Sequence, residues 1–217
     1  MLGQFVARGQ QIVRLDHEIV SESPDVMVEK VLARINSVIY SWHAAIVSDY
    51  EKGFITRSFA DRLVRRMKQK KIPLVVDTKP SHAAWFRGAD LFTPNKKEAS
   101  EMSGITIRSE KDIIATGKCL QKKLASNVLI TKGAEGMTLF SGKKVFNFPS
   151  TAREVYEVTG AGDTVAAVFA LALASSCSYE DGVKLASAAA GIVVGKQGTA
   201  TVSFEELSLA VKEPKLI

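Results

Sequence analysis

The residues best suited to chemistry lie in Val158-Thr159-Gly160-Ala161-Gly162-Asp163-Thr164, where an apparent strand passes into a long helix of small residues. Glycines at 160 and 162 remove the Cβ atoms that would hold an anion away from the backbone. The N–H groups and positive dipole end of the helix can then face a transferring phosphoryl group. A carboxylate one position later is badly placed to hold phosphate but well placed to take a proton from an attacking hydroxyl. Together these residue types point to phosphoryl transfer to an alcohol. The structural alternative is a tight turn in which Asp163 merely favours a helix start. No Gly-Lys-Ser/Thr follows, so this is not a Walker A loop, and Val165 replaces the third glycine of a dinucleotide fingerprint.

The elements that must position this turn alternate along the chain. Phe5 to Leu15 reads as extended, Pro24 to Asn36 as a helix opened by Ser23 and Pro24, and Ala44 to Ser48 as a buried strand. Thr56 to Lys71 reads as a helix and Leu74 to Asp77 as a strand. Asp90 to Phe92 and Val128 to Thr131 are further strands, with two helices within Asn95 to Ala125. Strands joined by helical crossovers make a parallel sheet covered on both faces. Met137 to Phe140, Lys144 to Phe148 and Arg153 to Tyr156 read as strands on short turns, an antiparallel edge. Helices over Ala161 to Ser175 and Tyr179 to Gly195 follow, and a last one starts at Ser203-x-x-Glu206, a capping-box pattern.

Ligands of open α/β sheets collect at the carboxyl ends of the strands. The polar and glycine-rich segments fall there: Ser48 to Gly53, Asp77 to Pro80, Thr93 to Glu98, Thr131 to Gly136 and the 158–164 turn. They predict one composite site.

A chain of 217 residues with 46% hydrophobic residues and no biased linker is expected to form one domain over 1–217. The longest apolar run, Val165 to Ala174, is about half the length of a membrane span, and no basic n-region opens the chain. Neither membrane insertion nor secretion is expected. Cys119 and Cys177 lie far apart in helical patterns and predict reduced thiols in a cytoplasmic protein. His17, His43 and His82 lack metal-ligand spacing. The net charge of +6 suits an anionic small substrate better than nucleic acid. The densest basic run, Arg62 to Lys71, has Leu63, Val64 and Met67 at inward helical spacing, and no aromatics interleave with it.

The polar segments in this order, closing with Ala188 to Thr199, resemble the ribokinase-like (PfkB) sugar kinases. Most narrowly they are similar to the bacterial kinases of D-glycero-β-D-manno-heptose 7-phosphate, through Gly9 to Asp16 and Val155 to Thr164. The resemblance covers essentially the whole chain. It implies an α/β ribokinase-like, mainly parallel sheet with helices on both faces, and an enzyme using ATP and Mg²⁺ to phosphorylate the sugar phosphate at O1. The product is the 1,7-bisphosphate on the route to ADP-heptose and the lipopolysaccharide core. Asp163 would be the base, with Gly160, Ala161 and Gly162 the anion hole. The family's Asn-x-x-Glu motif falls on Asn95 to Glu98, near the ATP phosphates. Magnesium would be held through ATP near Glu98, and Lys96 and Lys97 lie within the motif. The same pattern is also a helix-start signature. Lys132, Gly133 and Gly136 match the nucleotide-side loop, with Lys132 facing a phosphate as a point charge. The helix from Ala186 to Val194 would flank the adenine. Lys52 is a candidate for the substrate phosphate or a solvated surface charge.

The chain departs from the family pattern at Glu157, where aspartate is commoner and potassium dependence is at issue, and at Ser187, where relatives often carry asparagine. The resemblance also implies that the front of the domain is missing: the first strands, a sugar-binding aspartate and the β-structured lid. An accompanying adenylyltransferase half would be absent too. Two rival readings follow, another PfkB-type sugar kinase and a nucleotide-binding fragment without turnover. An exposed apolar sheet edge would favour association as a homodimer.

Overall fold

The computed structural model describes the backbone of residues 2–7 and 10–16, and residues 23–150, 160–196, 198 and 200–212 in full. The expected strand Arg153 to Tyr156, together with Glu157, lies outside them. The extended amino-terminal segment is a hairpin, β1 (Leu2–Ala7) antiparallel to β2 (Gln10–Asp16), forming a two-stranded sheet of its own.

The main sheet holds β3 (Ala45–Asp49), β4 (Leu74–Thr78), β5 (Leu91–Phe92), β6 (Asn127–Thr131), β7 (Met137–Ser141) and β8 (Lys144–Phe148), in that spatial order. The pairs from β3 to β6 are parallel, and β7 and β8 add antiparallel. The crossovers are α1 (Asp25–Val38) before β3, α2 (Arg57–Lys70) before β4, and α3 (Lys96–Ser103) with α4 (Glu110–Leu124) before β6. After β8 come α5 (Ala161–Ala174), α6 (Tyr179–Val194) and α7 (Phe204–Lys212).

Strand periodicity sends successive side chains to opposite faces, so the apolar run of β4 must be covered twice. Leu74 and Val76 join Phe92, Val128 and Ile130 against α2 and α4, where Leu63, Met67, Ile113 and Leu120 close the layer. Val75 lies with Leu91 and Leu129 on the other face, under Val165 and Phe169 of α5 and Val183 and Ala186 of α6. The expected two-sided burial is therefore observed. Gly117 lets α4 press directly on β7, because a Cβ there would run into the ring of Phe140. At the sheet's free edge, β3 leaves Ile46 45% exposed, the apolar edge foreseen from the sequence.

The helix starts follow their local chemistry. Thr56, Asn95, Ser109 and Ser178 each accept a backbone N–H of the helix they open. Ser203 and Glu206 bond reciprocally at the start of α7, as the capping-box pattern predicts. Pro24 is the residue before α1 and caps nothing through a side chain.

Candidate active site

Five segments meet at the carboxyl ends of the parallel strands. The first carries the glycine turn. Gly160 takes φ +84°, a conformation that side chains rarely adopt, and turns the chain into α5. Its carbonyl accepts the Thr164 N–H at 2.9 Å and the Thr164 hydroxyl at 3.0 Å, which locks the first helical turn. Unlike α2, α3, α4 and α6, this helix has no side-chain cap. Among the described residues none accepts from the N–H groups of Ala161, Gly162 and Asp163, the arrangement in which a helix start can receive an anion. A Cβ at Gly162 would meet no protein atom within 4 Å, so the space beside the turn is open to a ligand. Asp163, third in the helix, is exposed, and its Oδ1 accepts the Tyr50 hydroxyl at 3.3 Å.

Tyr50 comes from the loop after β3, and this loop is braced. Asp49, buried at the end of β3, accepts the Glu51 N–H at 2.9 Å and the Thr78 hydroxyl at 3.0 Å. His82 places Nδ1 2.7 Å from the same carboxylate while its ring stacks on Trp85 at 3.6 Å. Glu51 adopts φ +59° and accepts the Ser81 hydroxyl at 2.6 Å. This clasp joins the loops after β3 and β4. His82 is accordingly structural, as its isolated position in the sequence implies. Lys52 is exposed on this loop, outside the walls of the cavity described below.

Asp77, at the end of β4, is the charged residue whose importance the sequence did not reveal. Burial first, then the negative charges of Glu98 and Asp163, push its carboxyl up to about 6 against the opposing pull of Lys79. Glu98 receives the Lys79 ammonium at 2.9 Å, and that hydrogen bond is the main cause raising the Lys79 pKa. The other oxygen of Glu98 accepts the Asn95 N–H at 3.1 Å, and Asn95 Oδ1 accepts the Glu98 N–H at 2.9 Å. The helix-start reading of Asn95 to Glu98 is therefore fulfilled, and the same capping box orients Glu98 beside Asp77. The missed signal was positional: Asp77 ends a fully buried apolar strand at the ligand edge of the sheet.

The nucleotide side is a cavity of about 600 Å³ between the start of α3, the β6–β7 loop, the start of α5 and α6. Its polar wall includes Asn95, Lys96, Lys97, Gly133 and Gly136, and its apolar wall Met137, Val165, Ala190 and Val194. Ser187 lies in the same wall. The loop is pinned by Lys132 N–H to Gly136 O at 2.8 Å and Gly136 N–H to Gly133 O at 3.0 Å. A Cβ at Gly136, where φ is +88°, would collide with the Phe148 carbonyl.

The three expected lysines have different fates. Lys132 also lines the cavity, but its Nζ is buried and bonded to Glu110 Oε1 and Asn147 Oδ1, each at 2.9 Å, so its charge is compensated within the protein and braces the loop. Sequence spacing cannot reveal this, because the partners come from α4 and β8. Lys96 pairs with Glu135 at 2.8 Å, and this hydrogen bond lowers the Glu135 pKa. Lys97 is exposed and has no carboxylate partner among the described residues. Among the described residues it thus lines the cavity as an unpaired cation.

Among the described residues, no group of three or more His, Cys, Asp or Glu side chains can hold a metal by itself. Asp77 and Glu98 nonetheless fit a magnesium ion shared with phosphates, since the ion usually keeps waters and takes one or two carboxylates. The Asp77 carboxyl is raised first by burial and then by the negative charges of Glu98 and Asp163, and a cation would relieve the second of these. No described helix is long and apolar enough to cross a membrane.

Known proteins share this chain's sequence pattern and fold. The chain is 41% identical over 206 residues to the bifunctional protein HldE of Geobacter sulfurreducens, covering 94% of this chain and 42% of that protein. It is 39% identical over 214 residues to the HldE of Vibrio cholerae, covering 98% and 44%. The chain thus spans less than half the length of these relatives. Among solved structures, phosphofructokinase-2 from Escherichia coli superposes with a TM-score of 0.79 at 18% identity, over 93% of this chain and 65% of that one. Ribokinase from Arabidopsis thaliana, solved with ribose and ATP, gives 0.72 at 23% identity, over 94% and 66%. These likenesses establish the ribokinase-type fold. Residues 21–206 match the pfkB family of carbohydrate kinases, and the chain belongs to that family.

Proposed function

We propose that this chain carries out ATP-dependent phosphorylation of D-glycero-D-manno-heptose 7-phosphate at O1, giving the 1,7-bisphosphate for ADP-heptose and lipopolysaccharide core synthesis. The observation that carries a kinase reading is the uncapped first turn of α5, with Asp163 in it, opening beside the cavity at the Asn95–Glu98 capping box. The choice of heptose 7-phosphate is supported by 39–41% identity to the HldE proteins over nearly all of this chain.

In this reading the adenosine lies against the apolar wall of Val165, Ala190 and Val194, and the phosphates run toward Gly160–Gly162 past Lys97. Asp77 and Glu98 are the residues that would hold a magnesium ion, which would supply charge neutralisation to the phosphates. The O1 hydroxyl donates a hydrogen bond to Asp163. Its oxygen attacks the γ-phosphorus, its proton passes to the Asp163 carboxylate, and ADP leaves with the bridging oxygen. The N–H groups at the start of α5 take up the charge on the equatorial oxygens. Tyr50 keeps the other lobe of the base in place. Lys52 is a candidate for the 7-phosphate.

An ATP-consuming reaction supports a cytoplasmic location, and the exposed β3 edge supports a homodimer. The direct test is product formation from a panel of sugars and sugar phosphates with labelled ATP. Heptose 7-phosphate is expected to lead the panel; preference for another sugar would retain the kinase and change its substrate.

A further inference from the structure

At the opposite end of the sheet from the glycine turn lies a second, larger concavity of about 810 Å³. It opens at the amino ends of β5 and β6, about 15 Å of strand away from the loops that follow them. Lysines enter it from three separate elements: Lys68 from α2, Lys118 and Lys122 from α4, and Lys143 from the β7–β8 turn. None of the four has a carboxylate within ion-pair distance among the described residues, whereas Lys79, Lys96, Lys132, Lys184 and Lys196 all do. Asp90 is the one acid in the wall, and its Oδ2 is taken by the Leu74 N–H at 2.9 Å.

The walls are tied to each other. Gly88 N–H bonds the Leu124 carbonyl at 2.7 Å, Gln121 Nε2 bonds the Gly142 carbonyl at 3.2 Å, and Asn127 Nδ2 bonds the Asp90 carbonyl at 2.9 Å. Gly88 has φ +90°, which side chains rarely adopt, and the Lys68 ammonium lies beside its backbone.

We propose that this groove is a second anion site, separate from the kinase centre, that takes a small ligand carrying two or more phosphates on a polar frame. Like charges gathered in a concavity repel one another and raise the local potential, and a polyanion relieves both effects at once. Ammonium groups reaching in from several directions act as point charges, which suits phosphates spaced along a ligand. The wall has no aromatic ring and Val145 as its one large apolar side chain, so it offers nothing to grip a base. Its volume fits a small molecule.

The test is two-dimensional NMR of the full chain at low and physiological salt, titrated with inorganic tripolyphosphate and, separately, with fructose 1,6-bisphosphate. Saturable shifts are expected at the amides of Gly88, Ser126 and Gly142. They should weaken at least tenfold in K118E/K122E and about threefold in K118Q/K122Q, with the fold checked by circular dichroism. Lys97→Ala, at the other end of the sheet, should leave them unchanged. Tighter binding of the sugar would identify a phosphosugar ligand, and tighter binding of the inorganic chain a polyphosphate. Shifts confined to Gly133–Gly136 and 160–162, shifts insensitive to K118E/K122E, or none at Gly88, Ser126 and Gly142 would overturn the proposal.

Discussion

The Tyr50 hydroxyl donates to Asp163 Oδ1 at 3.3 Å across 113 positions of sequence, joining the loop after β3 to the start of α5. One carboxylate oxygen is held by the phenol, and the other has no partner among the described residues. Asp163→Asn is expected to lower phosphoryl transfer about a thousandfold or more while Mg-ATP affinity stays within about threefold, because the base acts only on the transition state. Tyr50→Phe should cost about three- to tenfold in kcat with the KM for ATP unchanged. Steady-state kinetics and calorimetry separate these effects, and a D163N enzyme within tenfold of the parent would assign the base elsewhere.

Asp77 makes the fold sensitive to pH in a defined direction. Its folded carboxyl titrates at about 6 against an ordinary 3.8, so the native state binds the proton more tightly than the unfolded chain. This contribution to stability is complete at acid pH below 3.8 and is lost as pH rises through 6. A shift of this size corresponds to at most about 3 kcal/mol, and partial exposure reduces it to about 1–2 kcal/mol. Asp77→Asn should therefore raise Tm by about 3–6 °C at pH 7.5 and by nothing near pH 3. Differential scanning calorimetry at the two pH values checks the sign. An equal gain at both would remove the ionic explanation.

Gly136 and Gly162 separate structural from functional glycines. Gly136→Ala places a methyl group on the Phe148 carbonyl at a positive φ and should cost about 2–4 kcal/mol in urea denaturation. Gly162→Ala meets no protein atom, so its stability should change by less than about 1 kcal/mol. Its methyl instead enters the space assigned to the γ-phosphate, and turnover is expected to fall at least tenfold. Unimpaired turnover in Gly162→Ala would remove that turn from the phosphate path.

The two lysines of the nucleotide side should also part. Lys97→Ala is expected to weaken Mg-ATP binding about three- to tenfold in calorimetry with no loss of stability. Lys132→Met leaves Glu110 and Asn147 without their buried partner and should cost about 1–3 kcal/mol of stability. Weakened ATP binding would appear in this variant only as far as the loop loosens.

The amino-terminal segment, read as one extended stretch, is a hairpin, whereas the order of β3 to β8 and of the helices among and after them, the two-sided burial of the sheet and the helix starting at Ala161 were legible in the sequence. Each depends on neighbours within a few positions: apolar periodicity for β4, capping residues for α3 and α4, a glycine turn for α5. Asn95 to Glu98 was legible as a cap, since that hydrogen-bond pattern is local to four residues. Lys132 was not, because whether an ammonium faces a ligand or a buried carboxylate depends on what α4 and β8 bring beside it. Asp77 and Tyr50 acquire their roles in the same way, from Glu98 and Asp163 approaching through space. Local hydrogen bonding and periodicity determined the elements; desolvation and charge pairing between distant segments, which exist only once the sheet has assembled, decided which of their polar residues face a ligand.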